Sequence, residues 1–219
     1  MLAFAPLDAA VGVAYHLVLM LGGGAAAIVV ATAALRLLLL ALTIRQVRAE
    51  RARAALAPRL AELRERYGDD PAALARETLA LHRAENVSPF AGLLPALAQA
   101  PFFLVLYRLF LSPTVHGAPN ALLSSTLFAV PLGERWITGG LFTAHDLVFG
   151  GLLGLLLLLA WWTARRMRGS PPLLRLLPFG TVLFGATLPL AAGLYLVTTT
   201  AWTALESLVL RRDRARPDT

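Results

Sequence analysis

Arg36 is the residue whose position could do chemistry. It stands eight residues before Ile44 in an apolar run, about 12 Å along a helix from the end of that run. A guanidinium near the middle of a membrane helix costs about 2.5–3.5 kcal/mol on insertion scales. From that depth the side chain cannot easily snorkel to either surface. An arginine kept there either pairs with a buried acid or faces water inside the bilayer, where it attracts anionic groups. Acids are nearly absent from the apolar runs, and Glu206 is the one candidate partner. Thr32 and Thr43 fall on the face of Arg36, within about 60° at 100° per residue. A second stripe runs through Tyr195, Thr199, Thr203 and Glu206, and Gln99 lies between Pro95 and Pro101 on a third apolar run. Each stripe alone is what helix packing uses, since Thr and small residues are common at such contacts. Three stripes together with a midplane arginine favour one wet groove.

Other chemistries lack their residues. There is no Cys, which excludes a thiol nucleophile, a thiolate metal site and a disulfide framework. No HExxH, GxSxG, Walker loop or GxGxxG occurs. His16, His82, His116 and His145 are scattered outside the apolar runs and read as surface or interfacial residues rather than ligands. Ser207 has no histidine in the apolar runs to activate it. No enzyme activity, cofactor or metal is expected.

The elements that must position these residues are membrane helices. Hydrophobic residues make up 58% of the 219 and charged residues 15%, against about half and a quarter in soluble domains. That excess belongs in lipid. The fold class is all-α, a polytopic membrane protein forming a single domain. Five spans are expected, each near the roughly 20 residues that a bilayer core requires: 24–44, 89–111, 147–163, 173–188 and 189–210. Residues 6–21 are apolar but short and hold Asp8 and His16, so they read as an external interfacial helix.

Between the first two spans, residues 45–87 form a helical hairpin. Leu56, Leu60, Leu63 and Tyr67 alternate spacings of four and three, as do Leu74, Thr78 and Leu81, with Gly68 and Asp70-Pro71 between them. The net charge is +7, and all 20 basic residues are Arg. Nine of them lie between Arg45 and Glu85; Arg165, Arg166 and Arg168 fall in the 164–172 loop, and four more in the 211–219 tail. The first 35 residues hold none, and the external loop 112–146 only Arg135. Basic loops face the cytoplasm, so the N-terminus is expected outside and the C-terminus inside. No basic n-region precedes Arg36, so a cleavable signal peptide is not expected. Arg45, Arg48, Arg51 and Arg53 read as a cluster facing lipid headgroups. The hairpin arginines alternate with Glu50, Glu62 and Glu65, the pattern of a solvated helix rather than a nucleic-acid surface, so no DNA partner is expected.

Three blocks resemble the YidC/Oxa/Alb membrane protein insertases, over about Leu21 to Arg212. The first is LRLLLLALTIRQVRAERARAALAPRLAELRERYGDD. It is similar to the family's first core span with its arginine, followed by the hairpin. The second, SPFAGLLPALAQAPFFLVLYRLF, is similar to the pattern NPxxGxLPxLxQxPxxxxLY, with Pro89, Gly92, Pro95, Gln99, Pro101 and Tyr107 in matching places. The third, LPLAAGLYLVTTTAWTALE, resembles the PaGLxLYW region of the last span. Ser88 replaces the usual Asn, Gly193 is displaced and Leu196 stands for the usual Trp. The large extracytoplasmic domain and extra first span of some members are missing, so the resemblance is to a minimal bacterial five-span type or a divergent paralogue.

The resemblance implies a non-enzymatic insertase and chaperone in the bacterial cell membrane. It implies that Arg36 is the groove arginine and Gln99 a groove-lining residue. Thr32, Thr43, Tyr195, Thr199 and Thr203 join the groove by the stripe argument. Implied partners are nascent membrane proteins and the lipid bilayer, with the ribosome and the Sec translocon as further ones. The residues alone leave two other readings: a small anion transporter or channel subunit using Arg36 as a solute site, and a membrane scaffold whose hairpin recruits a partner.

Overall fold

The computed structural model describes residues 5–85, 87, 93–136, 143–167 and 172–210, and the side chains of all of these but 5, 93–100 and 103. The expected tail 211–219, residues 89–92 of the expected second span and residues 168–171 of the 164–172 loop lie outside the described residues. The chain divides into two compact units, Met1–Leu38 with Phe102–Thr219, and Leu39–Pro101. The helices are α1 (Ala5–Met20), α2 (Gly24–Tyr67), α3 (Pro71–Ala84), α4 (Leu93–Leu111), α5 (Ala121–Ser124), α6 (Ala144–Arg166), α7 (Pro172–Thr187) and α8 (Leu190–Leu210). Two short antiparallel pairs flank α5: β1 (Thr114–Val115) with β2 (Ala118–Pro119), and β3 (Thr126–Leu127) with β4 (Val130–Pro131). Among the described residues, α2 and α6 are long and apolar enough to cross a membrane, and α1 and α7 are apolar but shorter.

In the first unit, α1 ends where Gly22, Gly23 and Gly24 take φ of 96°, 63° and 75°. Side chains with a Cβ avoid that region, so the triplet turns the chain directly into α2. Val11 and Val18 of α1 are buried, and the Asp8 carboxylate pairs with Arg108 at 2.9 Å. Gly12 lets the His116 ring lie against α1; a Cβ there would fall 2.1 Å from the ring.

The segment after α4 is tied down by one side chain. Asn120 is buried and donates to the carbonyls of Leu109 and Ser112, at 2.8 and 3.0 Å, while its own oxygen accepts from the Leu122 amide at 3.2 Å. It thereby satisfies an orphan carbonyl at the end of α4 and caps α5. The β1–β2 pair turns through His116-Gly117 and the β3–β4 pair through Phe128-Ala129, with positive φ at all four residues. That is the backbone a two-residue hairpin of type I′ requires.

The chain then returns onto α8. The amides of Leu190 and Ala191 donate to the carbonyls of Glu134 and Leu132 at 2.9 and 2.8 Å, and Arg135 bridges Pro189. Orphan donors at the start of α8 are thus met by main chain. Leu109, Leu122, Leu132, Leu156 and Leu190 are fully buried, with Phe110 and Phe149, in one apolar cluster. The α6 helix starts where Asp146 accepts the Thr143 amide at 3.0 Å, as in a capping box. His145 departs from the surface position expected of it. It is buried on Phe149 and its Nε2 lies 3.1 Å from the Arg135 carbonyl, because loop and helix start close over it.

In the second unit, α2 runs on without a break, so the end of the apolar run at Ile44 is not a helix end. Leu56 is buried, and Leu60, Leu63, Tyr67, Leu74, Thr78 and Leu81 are half-buried. Asp70 caps α3 by accepting from the amides of Ala72 and Ala73 at 3.0 Å, with Pro71 in the first turn. Arg59 on α2 pairs with Glu85 just past α3.

Candidate functional site

The α2 and α8 helices meet at one polar contact. Arg36, half-buried on α2, donates from Nε to the Thr199 hydroxyl at 2.8 Å, and from Nη2 to the same oxygen and to the Thr199 carbonyl at 3.4 Å. Among the described residues Arg36 has no carboxylate partner within 4 Å. Glu206, the acid that could have neutralised it, is buried and accepts from the Trp202 indole at 2.8 Å instead. The guanidinium charge is therefore held by a neutral hydroxyl. A hydroxyl satisfies donors without cancelling charge, so the field of Arg36 remains available to an anion.

Thr32, one turn before Arg36, is buried and donates to its own helix at Ile28, 2.7 Å away. Thr199 is buried, and Thr203 is exposed and donates to the Thr199 carbonyl at 2.9 Å. Tyr195 tilts its ring onto Phe110, 6.1 Å between centroids, and packs with the apolar cluster. Thr43 and Gln99 belong to the second unit. Thr43 donates to Leu39 of its own helix at 3.3 Å, and Gln99 lies on α4 with its side chain outside those described. Arg45, Arg48 and Arg51 are exposed on the outside of α2 and Arg53 is half-buried.

Thr199 also lines an open cavity of about 670 Å³ between α6, α7 and α8. Its polar wall holds Thr163, Thr181, Thr200, Thr203, Ser207 and Arg166, and its apolar wall includes Ala160, Trp162 and Pro178. Most of these hydroxyls give their proton to a carbonyl of their own helix, at 2.6–2.9 Å. What they turn to the cavity is acceptor lone pairs, so positive charge at this site comes from arginine alone. The sequence reading missed Thr163, Thr181, Thr200 and Arg166. Thr163 and Thr181 sit singly in apolar runs and Thr200 is off the Thr199–Thr203 stripe, so only the packing of three helices shows that they line one cavity.

Comparison with known proteins relates the chain to one family. Residues 17–217 match the family model described as 60Kd inner membrane protein. The chain is similar to the membrane protein insertase YidC of Acidiphilium cryptum (strain JF-5), 31% identical over 196 residues, which is 84% of this chain and 33% of that protein. It is similar to the membrane protein insertase YidC of Streptomyces avermitilis, 24% identical over 213 residues, 84% of this chain and 50% of that one. The inner membrane ALBINO3-like protein 2, chloroplastic, of Chlamydomonas reinhardtii is 38% identical over 102 residues, 46% of this chain and 23% of that protein. The chain thus spans a third to a half of the length of the two insertases.

Proposed function

The chain belongs to the 60Kd inner membrane protein family, the YidC/Oxa/Alb family of its motifs, and on that premise we propose that it is a membrane protein insertase. It moves hydrophobic segments of newly made proteins from the cytoplasm into the bilayer. Five spans, carried by the first part of α2, residues 89–111, α6, α7 and α8, hold a polar groove. Residues 45–87 form the cytoplasmic hairpin, and α1 lies on the opposite surface. The distribution of Arg supports this orientation, N-terminus outside and C-terminus inside a bacterial plasma membrane. A ribosome and the Sec translocon are the proposed partners at the cytoplasmic face, where Arg45, Arg48, Arg51 and Arg53 meet headgroups. Thr43 and Gln99 are assigned to the groove by the sequence reading alone.

The observation that carries the reading is Arg36 bonded to Thr199 rather than to Glu206. An uncancelled charge in an apolar helix is costly and is kept where it binds something. An acidic or polar substrate terminus meets Arg36 in a low dielectric, where the attraction far exceeds its strength in water. Burial of an apolar span of about 20 residues then drives the segment into lipid.

The test is insertion of a single-span substrate into liposomes holding the purified chain, Arg36→Ala or Arg36→Lys. Loss of one hydrogen bond to a charged group is worth about 1.5–3 kcal/mol, so Arg36→Ala should slow insertion at least about tenfold. Arg36→Lys should retain most of it. Equal insertion by all three removes the charge from the mechanism, and none by the native chain removes the insertase reading.

A further inference from the structure

A second arginine repeats the arrangement of the first. Arg166, in the last turn of α6, donates from Nη1 to the Ser207 hydroxyl at 3.2 Å. Ser207 lies eight residues beyond Thr199 on α8, about 12 Å along the helix. Thr199, Thr203 and Ser207 share one face, within about 80° at 100° per residue, and all three line the same cavity as Arg166. Arg36 is half-buried at the inner end of this row, and Arg166 is exposed at the outer end. Among the described residues neither has a carboxylate within 4 Å.

The neighbouring arginine takes a different course. Arg165 stacks on Trp161 at 3.7 Å from the ring centre, and Arg166 on Trp162 at 4.3 Å. Trp162 lines the cavity and Trp161 does not. Stacking leaves the edge of a guanidinium free to donate, and the edge of Arg166 is turned toward Ser207. The hydroxyls between the two arginines have given their protons to carbonyls of their own helix. The row of hydroxyls is therefore met by Arg36 from α2 at Thr199 and by Arg166, which lines the cavity, at Ser207, and it offers an anion little in between.

We propose that Arg166 is an outer anion site of this cavity, which binds a carboxylate of the incoming substrate before Arg36 does. The site rests on the insertase reading and deepens it: the substrate class it selects is chains with acidic residues in the translocated tail. Two cations anchored on hydroxyls about 12 Å apart along α8 let a tail bearing separated carboxylates hold both, and let a single carboxylate pass from the exposed site to the half-buried one. The outer site is weakly bound and screened by salt, and the inner one less so.

The experiment compares two single-span substrates, one with an acidic translocated tail and one with a neutral tail. The full chain is placed in liposomes as native, Arg166→Gln, Arg166→Lys and Arg165→Gln. Arg166→Gln should slow the acidic substrate about three- to fivefold, the range of one partly exposed ion pair, and leave the neutral one unchanged. Arg166→Lys should restore the acidic substrate, and Arg165→Gln should change neither. The acidic-substrate defect should vanish at high salt. Equal slowing of both substrates, or of neither, overturns the proposal while leaving the insertase reading intact. Equal slowing found only in vesicles containing anionic lipid assigns Arg166 to a lipid headgroup and overturns it as well. Failure of the native chain to insert either substrate overturns the insertase reading, and the outer site with it. The absence of Cys from the chain gives a second measurement. A Ser207→Cys chain should form a disulfide with a cysteine beside the acidic residues of the tail. That crosslink should weaken when Arg166→Gln is added, and a yield independent of Arg166 counts against the site.

Discussion

The same two helices build a closed region and an open one. Along their first halves, α6 and α8 bury Phe149, Leu152 and Leu156 with Leu190, Ala191 and Ala192, and the segment between β3 and Arg135 is bonded to the start of α8. Along their second halves they part around a cavity lined by Thr163, Thr199, Thr200, Thr203 and Ser207. The backbone is helical throughout, so the difference lies in the side chains. Small alanines let the helices approach, and the leucines from the loop fill what is left. Further along, hydroxyls bond to their own helices and contribute little packing across the gap. The polar cavity thus lies along the second halves of the helices, while the first halves are closed by apolar packing and by main-chain hydrogen bonds to the loop.

The comparison breaks most sharply at Leu132, which has 0% exposure and sits in the sealed region. Leu132→Ala leaves a cavity among Leu122, Leu190 and their neighbours, and such truncations cost about 2–5 kcal/mol. Thermal unfolding in detergent should show a large drop in melting temperature. A small shift would mean that the loop is loosely seated and that the seal is not a packed layer.

At the cavity end the corresponding change is Thr199→Val, which keeps the shape and removes the hydroxyl. Arg36 loses its hydroxyl acceptor but keeps the Thr199 carbonyl, so the net cost should be near that of an ordinary hydrogen bond, about 0.5–1.5 kcal/mol. The melting shift should be several times smaller than for Leu132→Ala. Insertion should also fall less than for Arg36→Ala, because the charge is retained. Insertion lost equally in both variants would make the hydroxyl pairing, rather than the charge, the functional element.

The two regions also differ in how far the sequence announces them. Arg36 and Thr199 were legible because a charge in an apolar run and a period of four on a helix are both local signals. So were the stop at Gly68 and the cap at Asp70. Glu206 pairs instead with Trp202, four residues before it on the same helix, while the sequence offered it only as the one candidate partner for Arg36. The sealed region was hidden for a physical reason. Its strands are two residues long, too short to show an alternating pattern, and the Phe128-Ala129 turn has positive φ without the Gly or Asn that usually marks it. The burial of Leu122, Leu132 and His145 depends on contacts between distant segments, which periodicity does not encode.

The smallest effect is expected where α1 meets the end of α4, and it sharpens the comparison at its outer edge. Asp8 and Arg108 pair at 2.9 Å, but their side chains are 51% and 39% exposed. In water such a pair is worth about 0–1 kcal/mol and weakens with salt. The attachment of α1 should rest on Val11, Val18 and the Tyr15 hydroxyl, which accepts the Ala121 amide at 3.2 Å. A double-mutant cycle with Asp8→Asn and Arg108→Gln should therefore give a coupling below about 1 kcal/mol in detergent. The same cycle in a bilayer separates two placements of α1. If the helix lies in the headgroup layer, the local dielectric falls and the coupling should rise above its detergent value. If it stands clear of the membrane, the two values should agree, and the interfacial placement of α1 fails while the seal beneath it is untouched.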